Sequence, residues 1–404
     1  MTPPDRLVVV GASLAGLRAV ETARAAGFRG ALTLVGAEDH LPYDRPPLSK
    51  EFLAAGEPAP APHFPGVDEL RSVLDVDVRL GAPARDLDLH GHTVGVGDDT
   101  LDWDALIVAT GSTARALPGT AHLAGVHVLR TLDDALAVRA ALDAGARTVV
   151  VGAGFIGAEI AAAARARDLP ATVVEVQPTP LARAVGETAG RALGGLHARH
   201  GTDLRCGVGV DHLEGADRVT GVRLGDGALL PADLVVVGIG ASPTTAWLEG
   251  SGLTLDDGVV CDTTLAAAPG VWAAGDVARW ASPDLGRSLR VEHWTTAVDM
   301  GVHAASNAVD PAAATPFRHV PYFWSDWYGR RIQFAGVPVG EPEVVYGSWD
   351  ADAFTALYRD GDRLAGVLTL DRRGDVMKYR AQIGKGRSYA DALAFAATRV
   401  PVGA

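Results

Sequence analysis

A chain of 404 residues has room for two or three domains at roughly 150 residues each, and with 48% hydrophobic and 21% charged residues it has the composition of a globular protein with sizeable cores. The net charge of −13 argues against nucleic acid and against an anionic membrane surface as partners. No apolar run reaches the roughly 20 residues of a membrane span, and the start MTPPDRLVVVG has no basic segment followed by an apolar one; a cytoplasmic protein without a membrane partner is expected.

Taken in chain order, Leu7 to Val10 reads as a strand running into the turn Gly11-Ala-Ser13-Leu-Ala15-Gly16. A helix follows over Leu17 to Ala26, then a strand over Leu32 to Val35 that ends before Glu38. That is the dinucleotide pattern: a tight glycine turn between strand and helix, then an acid placed for ribose hydroxyls. In the next segment, DHLPYDRPPLSKEFL, Pro46-Pro47 forbids a helix and fixes a rigid turn, so Arg45 and Lys50 are candidates to pair with phosphate or a cofactor edge. Residues 56 to 66 read as a loop, followed by strand-like segments at Val76 to Leu80, His92 to Val96 and Leu101 to Val108. Within the last, Ala105 to Ala109 is a continuous apolar run, as expected for a parallel strand covered on both faces, and Thr110-Gly111 lets the chain turn away at a topological switch where ligands bind.

After a linker and a helix capped by Thr131, the dinucleotide pattern recurs in a more complete form. Thr148 to Val151 is a strand, and Gly152, Gly154, Phe155, Ile156 and Gly157 form the turn. A helix runs to about Arg167, and the strand Ala171 to Val176 carries Glu175. Further strands near Leu204, Val219 to Leu224 and Leu234 to Val237 close this unit at Gly238-Ile-Gly240, so it reads as inserted in the first. Next, Val271-Trp-Ala-Ala-Gly275-Asp276 reads as a strand ending in Gly-Asp at a helix start, where a carboxylate can accept from sugar hydroxyls and helix N–H groups face phosphate. Two such units imply two dinucleotides, and hydride chemistry pairs them as a nicotinamide and a flavin. From Val291 a helix with small residues on several faces is expected, and a final domain begins near Phe317, with a hairpin turn at Asp360-Gly361-Asp362.

Only Cys206 and Cys261 are present, with no C-x-x-C, so no metal site is expected and any iron-sulfur centre belongs to a partner. Charge is uneven: residues 318 to 404 carry 12 Lys or Arg and 10 Asp or Glu, a net of +2, which leaves −15 for the rest. Within that tail Arg372, Arg373, Lys378, Arg380, Lys385 and Arg387 face only Asp375.

The segments PYDRPPLSK (42 to 50), LRTLDDA (129 to 135), GAGFIGAE (152 to 159), AAGDVA (273 to 278) and YFWSDWYG (322 to 329) together make the chain resemble the FAD-dependent NADH:ferredoxin reductases of bacterial cytochrome P450 and ring-hydroxylating dioxygenase systems. The resemblance covers nearly the whole chain. It implies an α/β fold with two Rossmann-type dinucleotide-binding domains, glutathione-reductase-like, plus a C-terminal α/β domain. The expected division is a discontinuous FAD domain over 1-113 and 240-316, an NAD domain over 114-239 and a C-terminal domain over 317-404. By motif, Ala15, Glu38, Lys50, Ala84, Arg130, Asp276, Trp294 and Trp324 fall on the FAD side. Gly152, Gly154, Gly157, Glu159, Glu175 and Arg183 fall on the NAD side, joined by Phe155, Ile156 and Gly240. Three positions depart from the pattern: Ser13 replaces the middle glycine of the first turn, Ala37 stands where some members have Asp, and Trp327 stands where glutamine is usual.

The implied chemistry is hydride transfer from NADH to the flavin, then single-electron delivery to a separate [2Fe-2S] ferredoxin, with Lys50 and Glu159 as an ion pair near the ring. Glu175 would accept from the adenosine ribose and repel a 2′-phosphate, favouring NADH. An acidic ferredoxin would need a basic face for docking, and the 372 to 387 cluster is the candidate. An NADH oxidase or disulfide reductase wants a cysteine that residues 38 to 55 lack. A rubredoxin reductase, or an apoptosis-inducing-factor-like NADH-flavin redox sensor, shares the motifs, and the chain is compatible with a monomer or a homodimer.

Overall fold

The computed structural model describes residues 4–57 and 59–399. The chain folds as two compact units, one built from Met1–Asp44, Pro62–Thr113 and Ser242–Pro321, the other from Arg45–Ala61, Ala114–Ala241 and Tyr322–Ala404.

In the first unit a six-stranded sheet runs in the order Ala266–Ala268, Val271–Ala273, Ala105–Val108, Arg6–Val10, Ala31–Val35, Asp77–Arg79. All but the outermost strand on one edge are parallel, with Val10 level with Val35 on one side and Val108 on the other. Leu7, Val8, Val9, Val10 and Leu106 to Val108 are buried, because a parallel strand has helices or loops on both faces. The helix Leu14–Ala25 begins earlier than the glycine spacing suggests, so Gly16 lies in its first turn. It packs on the helix Trp294–Val309 so closely that a Cβ at Gly301 would lie 2.3 Å from Ala15 O. The strand expected at Val76 to Leu80 is only Asp77–Arg79. The expected helix start at Gly275-Asp276 is instead a three-residue 3-10 turn, Gly275–Val277, because Ala278 returns at once to extended backbone and begins the strand Ala278–Ser282. So short a turn has no macrodipole to offer a phosphate.

In the second unit the repeated pattern builds a five-stranded parallel sheet in the order Asp203–Cys206, Ala171–Glu175, Thr148–Val151, Leu234–Val237, Val126–His127. Thr131 caps the helix Leu132–Asp143 through a capping box with Asp134. The same unit carries an antiparallel sheet in the order Tyr322–Trp327, Arg330–Gly336, Arg363–Leu370, Phe354–Asp360, Glu343–Tyr346, with the helices Arg373–Gly384 and Tyr389–Ala397. Trp327, Ile332, Phe334 and Phe354 of that sheet share one apolar core with Ala158, Leu181, Val185 and Leu193. The hairpin at Asp360-Gly361-Asp362 forms as expected, with Asp360 opposite Arg363. Among the described residues no helix is long and apolar enough to cross a membrane and no cluster of potential metal ligands occurs. Both cysteines are free, and burial pushes the Cys261 thiol up to about 12.

Candidate dinucleotide sites

In the first unit the strands Arg6–Val10, Ala105–Val108 and Val271–Ala273 are adjacent and parallel, so their carboxyl ends bring Gly11, Thr110, Gly111 and Gly275 to one edge of the sheet. That is where an open α/β sheet takes ligands. The fold itself demands both Gly11 and Gly16. Gly11 has φ +125°, and a Cβ there would lie 2.0 Å from Ala109 O; a Cβ at Gly16 would lie 1.9 Å from Gly11 O. Ser13 sits at the N-cap position of Leu14–Ala25 with extended backbone, so the first-turn N–H groups of a 12-residue helix follow it. Gly275 approaches Ala15, a Cβ there falling 3.1 Å from the Ala15 Cβ. Asp276 accepts a 2.9 Å hydrogen bond from Ser112 Oγ, Thr110 Oγ1 donates to Thr244 O at 2.9 Å, and Trp294 Nε1 donates to Asp44 Oδ1 at 2.7 Å. Glu38 accepts from the Tyr43 hydroxyl. Ala84 opens a separate strand, Ala84–Asp88, of the same unit.

The second unit repeats the geometry more strictly. A Cβ at Gly152, φ +105°, would lie 2.3 Å from Gly238 O, and one at Gly157 would lie 2.3 Å from Gly152 O. Gly154 differs: the nearest atom to its Cβ would be Gly238 O at 3.9 Å, and its backbone suits any residue. The middle glycine is therefore left small for something other than the protein, which fits the close approach of a pyrophosphate. Glu175 is the last residue of the second strand; its Oε2 accepts from Ala153 N and its Oε1 from Gln177 N, both at 2.8 Å, which ties the acid to the glycine turn. Ile156 and Arg183 are exposed, Gly240 has φ +104°, and Phe155 packs its ring 4.6 Å from that of Phe323.

Also in this unit, Glu159 on the helix Phe155–Arg165 is only 4% exposed and meets Lys50, whose Nζ lies 2.9 Å from Glu159 Oε2. Ser49 Oγ donates to the same oxygen, and Ser325 Oγ and Asp326 N donate to Oε1. A buried charge demands such compensation. Neither serine was expected. Ser49 could have been found beside Lys50 in the Pro-Pro turn; Ser325 had the signal of strand alternation, since Phe323, Ser325 and Trp327 share the face opposite Tyr322, Trp324 and Asp326. Trp327, the departure from the family pattern, is fully buried among Phe155 and His197. Arg45 Nη1 donates to Arg130 O at 2.6 Å, and the Arg331 guanidinium lies over the Trp324 ring.

Residues 5–301 match the family described as pyridine nucleotide-disulphide oxidoreductase, and residues 322–402 match a reductase C-terminal family. The chain belongs to the pyridine nucleotide-disulphide oxidoreductases. Among its relatives in that family, rhodocoxin reductase of Rhodococcus erythropolis is 37% identical over 93% of this chain and 88% of its own. The ferredoxin--NAD(+) reductase component of the p-cumate 2,3-dioxygenase system of Pseudomonas putida is 35% identical over 98% of both. The reductase in the crystal structure of the covalent putidaredoxin reductase-putidaredoxin complex superposes with a TM-score of 0.91 at 29% identity, covering 99% of this chain and 100% of that one. The expected resemblance and fold class stand: this oxidoreductase has the mixed α/β architecture of the glutathione-reductase-like ferredoxin reductases.

Proposed function

We propose that this chain is an FAD-containing, NADH-dependent reductase that passes electrons singly to a [2Fe-2S] ferredoxin feeding an oxygenase, and that it works in the cytoplasm. One observation carries the reading: two glycine turns, each at the carboxyl end of parallel strands in its own sheet and each followed by an acid at or just beyond the end of the second strand. The names of the relatives support the acceptor, since several are ferredoxin--NAD(+) reductase components of dioxygenase systems and one structure holds putidaredoxin reductase covalently joined to putidaredoxin. In this reading 1-113 with 240-316 is the FAD domain, 114-239 the NAD domain and 317-404 the C-terminal domain. Gly11, Ser13 and Gly16 with the following helix N–H groups take the FAD pyrophosphate, while Glu38 and Asp276 accept from hydroxyls. Gly152, Gly154 and Gly157 take that of NADH, and Glu175 accepts from its ribose. Lys50 and Glu159 are the proposed catalytic pair, a cation held at a fixed point by a buried carboxylate. FAD, when bound, supplies the conversion of a hydride's two electrons into single-electron steps.

The docking face is narrower than the run of basic residues implies. Arg372 is tied to buried Asp375 at 2.6 Å and lies over the Tyr346 ring, and Arg380 is half-buried over Tyr322. Arg373, Met377, Lys378, Ala381 and Lys385 remain as one exposed face of the helix and its C-cap, bearing three cations and no acid, with exposed Arg387 just beyond it. We assign ferredoxin docking to that face.

Reduction of the purified protein by NADH in a stopped-flow instrument, followed by cytochrome c reduction with and without an added [2Fe-2S] ferredoxin, tests the reading. Rapid bleaching by NADH with ferredoxin-dependent cytochrome c reduction is expected. Bleaching with no gain from any ferredoxin would reject the acceptor, and slow bleaching would reject the enzyme.

A further inference from the structure

The carboxylate of Glu159 has two donors on each oxygen. Ser49 Oγ and Lys50 Nζ serve Oε2, while Ser325 Oγ and Asp326 N serve Oε1. The direction of the Ser325 proton is not left to choice. The indole N–H of Trp327 donates to Ser325 Oγ at 2.9 Å, and an indole nitrogen can only donate. A serine hydroxyl has one proton, so with its oxygen accepting from Trp327 that proton goes to Glu159. Ser325 and Trp327 are both fully buried, so no solvent competes for either group. The chain of donation therefore runs one way, from Trp327 through Ser325 to Glu159, and ends on the acceptor that holds Lys50.

A second observation concerns the lysine. Of the 36 Lys and Arg residues only Lys50, Lys378 and Lys385 are lysines, so Lys50 is the single lysine of the first 377 residues. An arginine would bring a planar fork needing two matched acceptors; a lysine brings a compact cation on a flexible stem whose position depends on what holds it. Here it is held by Glu159 Oε2 at 2.9 Å and by Pro46 O at 3.3 Å.

We propose that Trp327 and Ser325 are positioning residues: the indole N–H commits the Ser325 proton to Glu159, which fixes the carboxylate as the acceptor that places Lys50. This goes beyond the catalytic pair proposed above, and rests on it for its consequence in the reaction.

The test uses the three lysines. The FAD-loaded full chain is pulsed with limiting acetic anhydride, and acetylation of Lys50 is measured by mass spectrometry against exposed Lys378 and Lys385 in the same molecule. Trp327→Phe removes the neutral donor that orients the relay and Ser325→Ala removes the relay and its charge-assisted hydrogen bond to Glu159; each is expected to raise Lys50 acetylation about 5- to 10-fold. Ser325→Thr keeps the hydroxyl and stays within about two-fold of the parent. With NADH and ferricyanide, Trp327→Phe and Ser325→Ala lower kcat and leave the KM for NADH within about two-fold. If Trp327→Phe fails to fold because it empties part of a closed core, Ser325→Ala decides alone. Parental acetylation in the folded variants overturns the proposal, and so does raised acetylation with unchanged kcat. Acetylation needs no NADH, so a parent that NADH does not bleach would reject the proposed function while the labelling still decides the positioning.

Discussion

At the scale of single residues, the two glycine turns separate what the fold needs from what a ligand needs. Gly152 and Gly157 face backbone oxygens at 2.3 Å from where a Cβ would stand, so the spacing of those two is imposed by strand and helix meeting at a sharp turn. Gly154 faces nothing closer than 3.9 Å. Gly157→Ala is therefore expected to cost about 1–3 kcal/mol of stability, read as a lowered urea midpoint, by forcing the helix off the turn. Gly154→Ala should keep the parental midpoint and raise the KM for NADH about 10-fold. Equal loss of stability in both variants would show that the middle glycine also serves packing. The pattern of glycines was legible because glycine leaves a unique mark in a sequence. Ser49 and Ser325 were not, because a serine has the same look whether it is solvated or donates to a buried carboxylate.

Among the elements, local chemistry predicted the hairpin at Asp360-Gly361-Asp362 better than it predicted helix starts, and a second hairpin, which it did not predict, lies in the same sheet. Tyr328 and Gly329 join two strands of the C-terminal sheet with φ +52° and +78°, the mirror-image turn that a two-residue hairpin favours, although a tyrosine enters that region at a cost. The tyrosine is held there by its hydroxyl, which lies 2.8 Å from both His197 Nδ1 and Thr202 Oγ1, and by stacking on His200. His197 belongs to the helix Glu187–Arg199 and is fully buried, so burial lowers its pKa to about 4. The folded imidazole stays neutral where an unfolded one, near 6.5, takes a proton. Its contribution is thus present above pH 6.5 and is lost as pH falls from 6.5 toward 4, an amount of about 3 kcal/mol. His197→Gln should lose less stability than the parent between pH 7 and pH 5 in urea titrations; parallel losses would place the acid sensitivity elsewhere. The Gly275–Val277 turn shows the opposite limit of local reading. Gly-Asp after a strand suits a helix start, but the chain's return to a strand at Ala278 depends on pairing with Val259–Cys261 and Arg287–Leu289, residues distant in sequence.

For the molecule as a whole, a net charge of −13 sets the background against which one cationic helix face stands out. Asp375, the one acid within the basic run, is turned inward between Arg372 and Arg399, where burial raises its pKa and the hydrogen bonds from both arginines bring it below the usual carboxylate range. The outward face thereby keeps Arg373, Lys378 and Lys385 without an acid. Arg373→Glu with Lys378→Glu is expected to slow ferredoxin reduction about 10-fold or more at low salt and to flatten its dependence on ionic strength, as steering by unscreened charge requires. An equal fall in NADH-driven ferricyanide reduction would reject docking at that face. Sequence by itself determined the two strand-turn-helix units, the acid that closes each at Glu38 and Glu175 in the chain, and the kinship that joins them, because each rests on short-range rules: residues that must turn tightly, strands that must be apolar on both faces, spacing that a helix and a strand impose; that these acids meet a ribose is part of the proposed function. Only the tertiary structure decided which cations of the basic run reach solvent, that Trp327 is buried, and that Ser49, Lys50, Ser325 and Asp326 converge on Glu159. Those outcomes depend on donors up to 167 residues from Glu159 in sequence sharing its one buried carboxylate, and desolvation, which has no signature in local sequence, is what makes the sharing obligatory.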